Sequence, residues 1–293
     1  MCELPAGVSL SDSRAEYGSD YALPLLRVDT PQCRALLALQ GAQLLSFVPA
    51  QGRDWLWLSP AAEFAPGKAI RGGIPLCLPW FGVNRRSPSL PKHGWLRQRD
   101  WQLREAVGHE NGDVSLCLAT ASLPAEWRDF PWAYEVEVTY RLGRQLRCEL
   151  RLRNCSDTVM PLSFAMHSYF AAEIDQAEVY GLGRGHFLDN TDGLQVKQQT
   201  EPQRFDGEVD RVFEGVGGTQ RLQTGEQLLS IQGEGCDTLV IWNPGASLAA
   251  GMADVGRGYR DYVCVERGMA FADELALPPG GDYSAVMMVS ADK

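Results

Sequence analysis

The segment from Tyr134 to Arg153 constrains the fold more than any other. Tyr134, Val136, Val138, Tyr140 and Leu142 alternate with Glu135, Glu137, Thr139 and Arg141. After Gly143, Arg144 and Gln145, a second run alternates Leu146, Cys148, Leu150 and Leu152 with Arg147, Glu149, Arg151 and Arg153. A period of two puts one set on a buried face and the other in water. Setting Leu142 opposite Leu146 makes Glu137 face Arg151 and Glu135 face Arg153. The register that joins the apolar sets thus also joins opposite charges. A slip of one residue would invert every side chain, so a hairpin in this register is predicted.

Further strand-like runs are Leu25 to Asp29, Cys33 to Val48 (broken at Gly41), Asp54 to Leu58, Asp113 to Ala119 and Met160 to Phe170. Leu228 to Ile231, Thr238 to Asn243, Tyr262 to Glu266 and Ser284 to Ser290 follow. Helical periodicity is weak, and a helical turn or two is expected only at Gln32 to Ala38 and Pro60 to Phe64. Thirty glycines and 17 prolines punctuate the chain at short intervals, as a many-stranded antiparallel sandwich requires. The expectation is all-β: one large antiparallel β-sandwich over residues 1–293 with a few short helices. Residues 1–20 are expected to be a loosely structured N-terminal segment.

A net charge of −10 argues against general nucleic-acid binding, which needs a broad basic surface. No apolar run reaches transmembrane length, and the first residues lack the basic start and apolar centre of a secretion signal. A cytoplasmic protein without a membrane partner is therefore expected. The cysteines (2, 33, 77, 117, 148, 155, 236 and 264) form no C-x-x-C pair and read as mostly buried free thiols. The four histidines show no metal-ligand spacing.

Against this acidic background, residues 71–97 carry Arg71, Arg85, Arg86, Lys92, His93 and Arg97 with no Asp or Glu. Positive charge beside Trp80, Phe81 and glycines suits an anionic ligand with an apolar face. Its plain alternative is a basic surface loop. His167 shares a strand face with Ser163, Ala165 and Tyr169, and small neighbours leave room for an imidazole acting as acid or base. Glu266 ends an apolar strand before Gly268, where burial would raise its pKa and make it a usable base. Each also has a structural reading: a histidine bonded at a sheet edge, and a glutamate paired with Arg267. Trp80, Trp95 and Trp242 are candidate sugar platforms or core residues. No dinucleotide, P-loop or nucleophile-elbow motif is present.

The succession RGGIP (71–75), PWFG (79–82), KHGWLR (92–97), HSYF (167–170), VDRVF (209–213), WNP (242–244) and VCVERG (263–268) resembles the hexose-6-phosphate mutarotases, or glucose-6-phosphate 1-epimerases, of the galactose mutarotase-like superfamily. The likeness runs in order over roughly residues 20 to 290. It implies a galactose mutarotase-type supersandwich and an isomerase that interconverts the α and β anomers of aldohexose 6-phosphates without metal or organic cofactor. By the same likeness His167 is the general acid and Glu266 the general base. Arg71 and Arg97 would hold the substrate and its phosphate, with Lys92 and His93 close by. Asp210 would bond sugar hydroxyls, with Asp189 and Asp206 as alternatives. The implied partner is a small sugar phosphate, and the implied assembly a monomer or weak homodimer. The chain departs from the usual pattern at Trp95-Leu96, at Lys92 and at Gly245. Two other activities fit the same residues: an aldose 1-epimerase acting on unphosphorylated sugars, and a non-catalytic carbohydrate-binding or sensor protein.

Overall fold

The structure is a computed structural model that describes residues 3–122, 128–183, 185–200 and 202–292. Two eight-stranded antiparallel sheets dominate it. The first runs, in spatial order, Gln195–Gln198, His186–Asp189, Val209–Phe213, Thr238–Asn243, Tyr262–Met269, Phe164–Met166 and Leu76–Cys77; Tyr169–Ala171 also pairs with Tyr262–Met269. The second runs Glu178–Tyr180, Thr219–Gln223, Leu228–Glu234, Asp282–Ala291, Leu146–Asn154, Tyr134–Leu142, Val114–Ser122 and Gln102–Gly108. A four-stranded sheet precedes them in sequence, and a strand pair joins Met160–Leu162 to Leu275–Leu277. One apolar cluster draws side chains from both large sheets, including Val138, Leu150, Met287, Ile241, Val263 and Val265. The expected large antiparallel sandwich is what forms. Its helices are short, with two five-residue α-helices, Ser13–Tyr17 and Gly245–Ala249, among the described residues.

The predicted hairpin has the predicted register: Leu142 opposes Leu146, Glu137 opposes Arg151 and Glu135 opposes Arg153. The ion pairs differ. Arg147 and Arg151 both reach Glu149, at 3.0 and 2.9 Å, because Glu149 lies between them on the same wet face.

Several local expectations are corrected. Of the two readings of Cys33–Ala38, the strand of the Cys33 to Val48 hairpin forms and the helical turn does not; it is paired on both sides by Pro24–Asp29 and Gln43–Pro49. Ladder bonds and burial of Cys33, Ala35 and Leu37 outweigh helical propensity there. Met160 to Phe170 is three short strands, since Ser163 and the His167-Ser168 pair each break the ladder. Within the N-terminal segment, Val8–Asp12 is a strand and Ser13–Tyr17 a helix. Val8–Asp12 pairs with Pro24–Asp29, and Asp12 caps the following helix by accepting from the backbone of Arg14 and Ala15. Fully buried Ser13 donates to the Tyr21 carbonyl and accepts from the Leu23 amide. Cys33, Cys77, Cys148, Cys236 and Cys264 are buried free thiols, whereas Cys155 is exposed; Cys2 lies outside the described residues. Among the described residues no helix is long and apolar enough to cross a membrane.

The strand Tyr262–Met269 is buried along its whole length. Val263, Val265 and Met269 face the space between the two large sheets, whereas Tyr262 and Cys264 pack on the opposite face with Trp57 and Tyr169. Gly268 permits the neighbouring strand to approach: a Cβ there would stand 2.1 Å from the Phe164 carbonyl oxygen. Gly268→Ala is therefore expected to destabilise the protein by about 1–3 kcal/mol, as overpacking generally does. Thermal unfolding should show a melting point lower by several degrees. An unchanged melting point would mean that the two strands can separate freely.

Candidate active site

Three adjacent strands build the floor of a cavity of about 860 Å³. Their ladder sets Asp210 beside Trp242 and Trp242 beside Cys264, and one row along sets Val212 beside Val240 and Val240 beside Glu266. Side chains of one row share a face, so Asp210, Trp242 and Glu266 all open into the cavity. Arg267, the next residue, points the other way. It is fully buried and donates from Nη1 to Gln220 Oε1 at 2.7 Å. A Glu266–Arg267 ion pair is thereby excluded by strand alternation.

His167 stands over this floor from the break between two short strands, its amide donating to the Pro75 carbonyl. Its ring stacks on Tyr169 at 4.8 Å and 8°. Its Nε2 lies 3.4 Å from Glu266 Oε1. Glu266 is 1% exposed and His167 8%. His167 Nδ1 and Glu266 Oε2 are buried without a hydrogen-bond partner among the described residues. Burial, and then Asp210, pushes the Glu266 carboxyl well up. Burial, and then His93, Arg97 and Arg71, pushes His167 well down. In the ligand-free cavity burial thus favours imidazole and carboxylic acid. The neutral pair and the imidazolium–carboxylate pair hold the same single proton.

His93 lines the cavity beside them, its ring 5.7 Å from that of His167. Its backbone is left-handed at φ 67°, its amide donates to the Gly82 carbonyl, and its Nδ1 accepts from the Gly82 amide at 3.3 Å. That bond places the proton of the neutral ring on Nε2. Burial, then Arg97, Lys92 and Arg71, lowers its pKa to about 3, so it acts as a neutral donor.

Arg71 reaches the cavity held by two partners, Asp254 at 2.8 Å and the Tyr169 hydroxyl at 3.0 Å. The two glycines after it have positive φ, and Cβ atoms there would meet Leu58 Cα at 2.6 Å and the Leu44 oxygen at 2.2 Å. Only glycine lets this backbone pass so close to Leu58 and Leu44.

The other expected residues divide. Asp210 lines the cavity, accepts from the Asn190 amide at 2.6 Å, and is pushed up chiefly by burial. Asp189 is instead engaged by Thr191 and by Lys197 at 2.7 Å, and exposed Asp206 is not among the lining residues. Lys92 lines the cavity. Arg97 does not: it sits on a short 3₁₀ turn anchored by buried Leu96, and its Nη2 donates to the Lys92 carbonyl. Its charge nonetheless lowers the pKa of both His93 and His167. Arg85 and Arg86 do line the cavity. Of the three tryptophans, Trp242 is a wall. Trp80 is 4% exposed at the cavity edge, and Trp95 is core, with its indole N–H on the Tyr134 hydroxyl at 2.8 Å.

Tyr169, Asp254, Asn190 and Phe271 were not foreseen as site residues. Tyr169 had a signal, lying two residues from His167 on the same face. Asp254 is 183 residues from Arg71 and had none. His167, Cys264 and Glu266 bring donor atoms within 4.8 Å of one another, the one such group among the described residues. Burial, and then Glu266, pushes the Cys264 thiol well up, which holds it protonated.

The pH dependence of stability follows from Glu266. A carboxyl whose folded-state pKa is raised is neutral in both states below about 4.5, the ordinary value. Above that pH the unfolded chain releases the proton and the folded protein retains it, so stability falls as pH rises. Glu266→Gln removes this loss. Its melting point should exceed that of the parent by a margin that grows from pH 5 to pH 8; a margin that shrinks over that range would contradict the assignment.

The aldose 1-epimerase family profile matches residues 24–290. A Salmonella typhimurium protein named "Putative glucose-6-phosphate 1-epimerase" is 33% identical over 259 residues, spanning 87% of this chain and 86% of that one. A protein of the same name from Escherichia coli K12 is 33% identical over 258 residues, spanning 86% and 84%. The crystal structure of a "putative mutarotase" from Salmonella typhimurium superposes with a TM-score of 0.88 at 29% identity, covering 100% of this chain and 96% of that one. The galactose 1-epimerase of Lactobacillus acidophilus shares the fold, with a TM-score of 0.73 at 14% identity and 99% coverage of each chain. The chain belongs to the aldose 1-epimerase family.

Proposed function

We propose that this protein interconverts the α and β anomers of an aldohexose 6-phosphate, as a glucose-6-phosphate 1-epimerase. The observation that carries this reading is the His167–Glu266 pair, 3.4 Å apart on the floor of a cavity whose wall is basic in an otherwise acidic chain. The names borne by the Salmonella and Escherichia coli relatives support the same substrate.

The sugar's hydroxyls supply hydrogen bonds to the edges of Glu266 and His167 that open into the cavity. With those bonds made, the proton passes from the carboxyl to the imidazole and the pair becomes imidazolium and carboxylate without any change in total charge. Glu266 then takes the proton of the anomeric hydroxyl while His167 gives its own to the ring oxygen. The C1–O5 bond opens to the free aldehyde. Rotation about C1–C2 presents the other carbonyl face, and closure reverses both transfers. Each transfer of this kind contributes typically ~10²–10⁴-fold. Asp210 accepts from sugar hydroxyls, Trp242 offers its face to the ring's C–H groups, and His93 donates from Nε2. Arg71, fixed by Asp254 and Tyr169, holds the sugar in register. A neutral sugar gives no use to the basic wall, and a pure binder gives none to a paired acid and base.

Anomer exchange followed by NMR magnetisation transfer tests this. The parent should accelerate exchange of glucose 6-phosphate, and Glu266→Gln and His167→Gln should each lower kcat by ~10²–10⁴-fold. Full activity in either folded variant would remove that residue from the chemistry.

A further inference from the structure

A third side chain stands beside the His167–Glu266 pair and takes no part in the proton transfers. His167, Cys264 and Glu266 bring one donor atom each to within 4.8 Å of one another, and all three residues are buried. The strand Tyr262–Met269 accounts for two of them: Cys264 and Glu266 are two positions apart, so alternation puts both on one face. Strand pairing accounts for the third. Tyr169 opposes Cys264, and the His167 ring stacks on Tyr169. Trp57, Tyr169 and Tyr262 pack around Cys264 and close it off on the side away from the pair. His167 and Glu266 each carry a buried polar atom, Nδ1 and Oε2, that no described protein group satisfies.

The donor types are informative. An imidazole nitrogen, a thiol sulfur and a carboxyl oxygen form a mixed set that suits Zn²⁺ and similar thiophilic cations, and that hard ions such as Mg²⁺ and Ca²⁺ do not favour. Zinc bonds of about 2.0–2.3 Å place tetrahedral donors about 3.3–3.8 Å apart. His167 Nε2 and Glu266 Oε1 already stand 3.4 Å apart. A 4.8 Å separation closes with side-chain shifts of about 1 Å. Charge balances too. Binding displaces the protons of the thiol and the carboxyl, so one dication meets one thiolate and one carboxylate, and the buried site gains no net charge. Nearby Arg71 is already paired with Asp254, and Asp210 adds negative charge from the cavity side. His167 and Glu266 also line the cavity, so a water or a sugar hydroxyl can take the fourth position.

We propose that His167, Cys264 and Glu266 form a binding site for a thiophilic divalent cation of the Zn²⁺ class, and that its occupancy switches the enzyme off. A cation held by the imidazole and the carboxylate withdraws the acid and the base together. The inhibition rests on the epimerase reading above, whereas the binding does not.

The test titrates metal-free, reduced protein with Cd²⁺, a spectroscopic stand-in for Zn²⁺, and follows near-ultraviolet absorption. Anomer exchange of glucose 6-phosphate is measured in parallel with Zn²⁺, Cd²⁺ and Mg²⁺. All samples carry Cys155→Ser, which removes an exposed thiol. The parent should develop a thiolate-to-cadmium charge-transfer band and lose exchange on addition of Zn²⁺ or Cd²⁺, with full recovery on adding chelator; Mg²⁺ should do neither. Cys264→Ala and the near-isosteric Cys264→Ser should lack the band while exchanging within a few-fold of the parent without metal. The Zn²⁺ concentration for half inhibition should rise by roughly a hundred-fold or more in both, since even outer-shell partners of a metal typically cost 10–100-fold. Melting curves check that the variants are folded. Folded Cys264 variants that keep the band and the sensitivity to Zn²⁺ would overturn the proposal, as would a parent that shows neither. A parent with a Cys264-dependent band that exchanges no sugar phosphate would overturn the epimerase reading and leave the cation site standing.

Discussion

A carboxyl group that is almost wholly buried governs this structure. Glu266 sits on a strand covered along both faces, and taking a carboxylate out of water is costly unless partners replace the solvent. The protein supplies few. Oε1 faces His167, Oε2 has no partner, and Asp210 adds like charge nearby. The cost falls on stability, and it keeps the carboxyl protonated at the floor of the cavity. His167 is held in the same state by the same means: stacked on Tyr169, without a partner at Nδ1, and surrounded by cationic and imidazole neighbours. Burial pushes the carboxyl up and the imidazole down, so both groups are held neutral in the ligand-free site.

The surrounding architecture serves that pair at several removes. Gly268 allows the strand bearing Ala165 to close against the strand bearing Glu266. Gly72 and Gly73 allow the Arg71 segment to pass close against the backbone at Leu58 and Leu44, where Tyr169 and Asp254 then orient the guanidinium. Gly82 fixes the tautomer of His93 by donating to Nδ1. On the far side of the catalytic strand, Arg267 is buried with Gln220 as its hydrogen-bonded partner, so one strand carries a carboxyl towards the cavity and a guanidinium towards the core. Alternation keeps them apart, and neither neutralises the other.

Charge separates the wall into two parts. Arg71 and Arg86 are already compensated by Asp254 and Glu274, whereas Arg85 and Lys92 have no carboxylate within ion-pair distance among the described residues. Position along the chain misleads here. Arg71 and Arg97 frame the basic stretch and carry the family motif, yet Arg97 is not among the lining residues, whereas Arg85 and Arg86, outside the motif, are.

The sequence by itself determined the sandwich, the register of the Tyr134–Asn154 hairpin and the identities of His167, Glu266, Arg71 and Asp210 as site candidates. Two-residue alternation is a local property and survives in any window, so the hairpin could be read to the residue. It left Cys33–Ala38 open between a strand and a helical turn and did not foresee the strand and helix within Val8–Tyr17, because both depend on neighbouring strands supplying ladder bonds. Only the tertiary structure put Asp210 rather than Asp189, Asp206 or Arg97 among the cavity-lining residues, excluded Arg267 as the partner of Glu266 and joined Arg71 to Asp254. Each of these turns on which face of a strand meets which distant side chain, a matter of through-space distance for which sequence separation carries no signal.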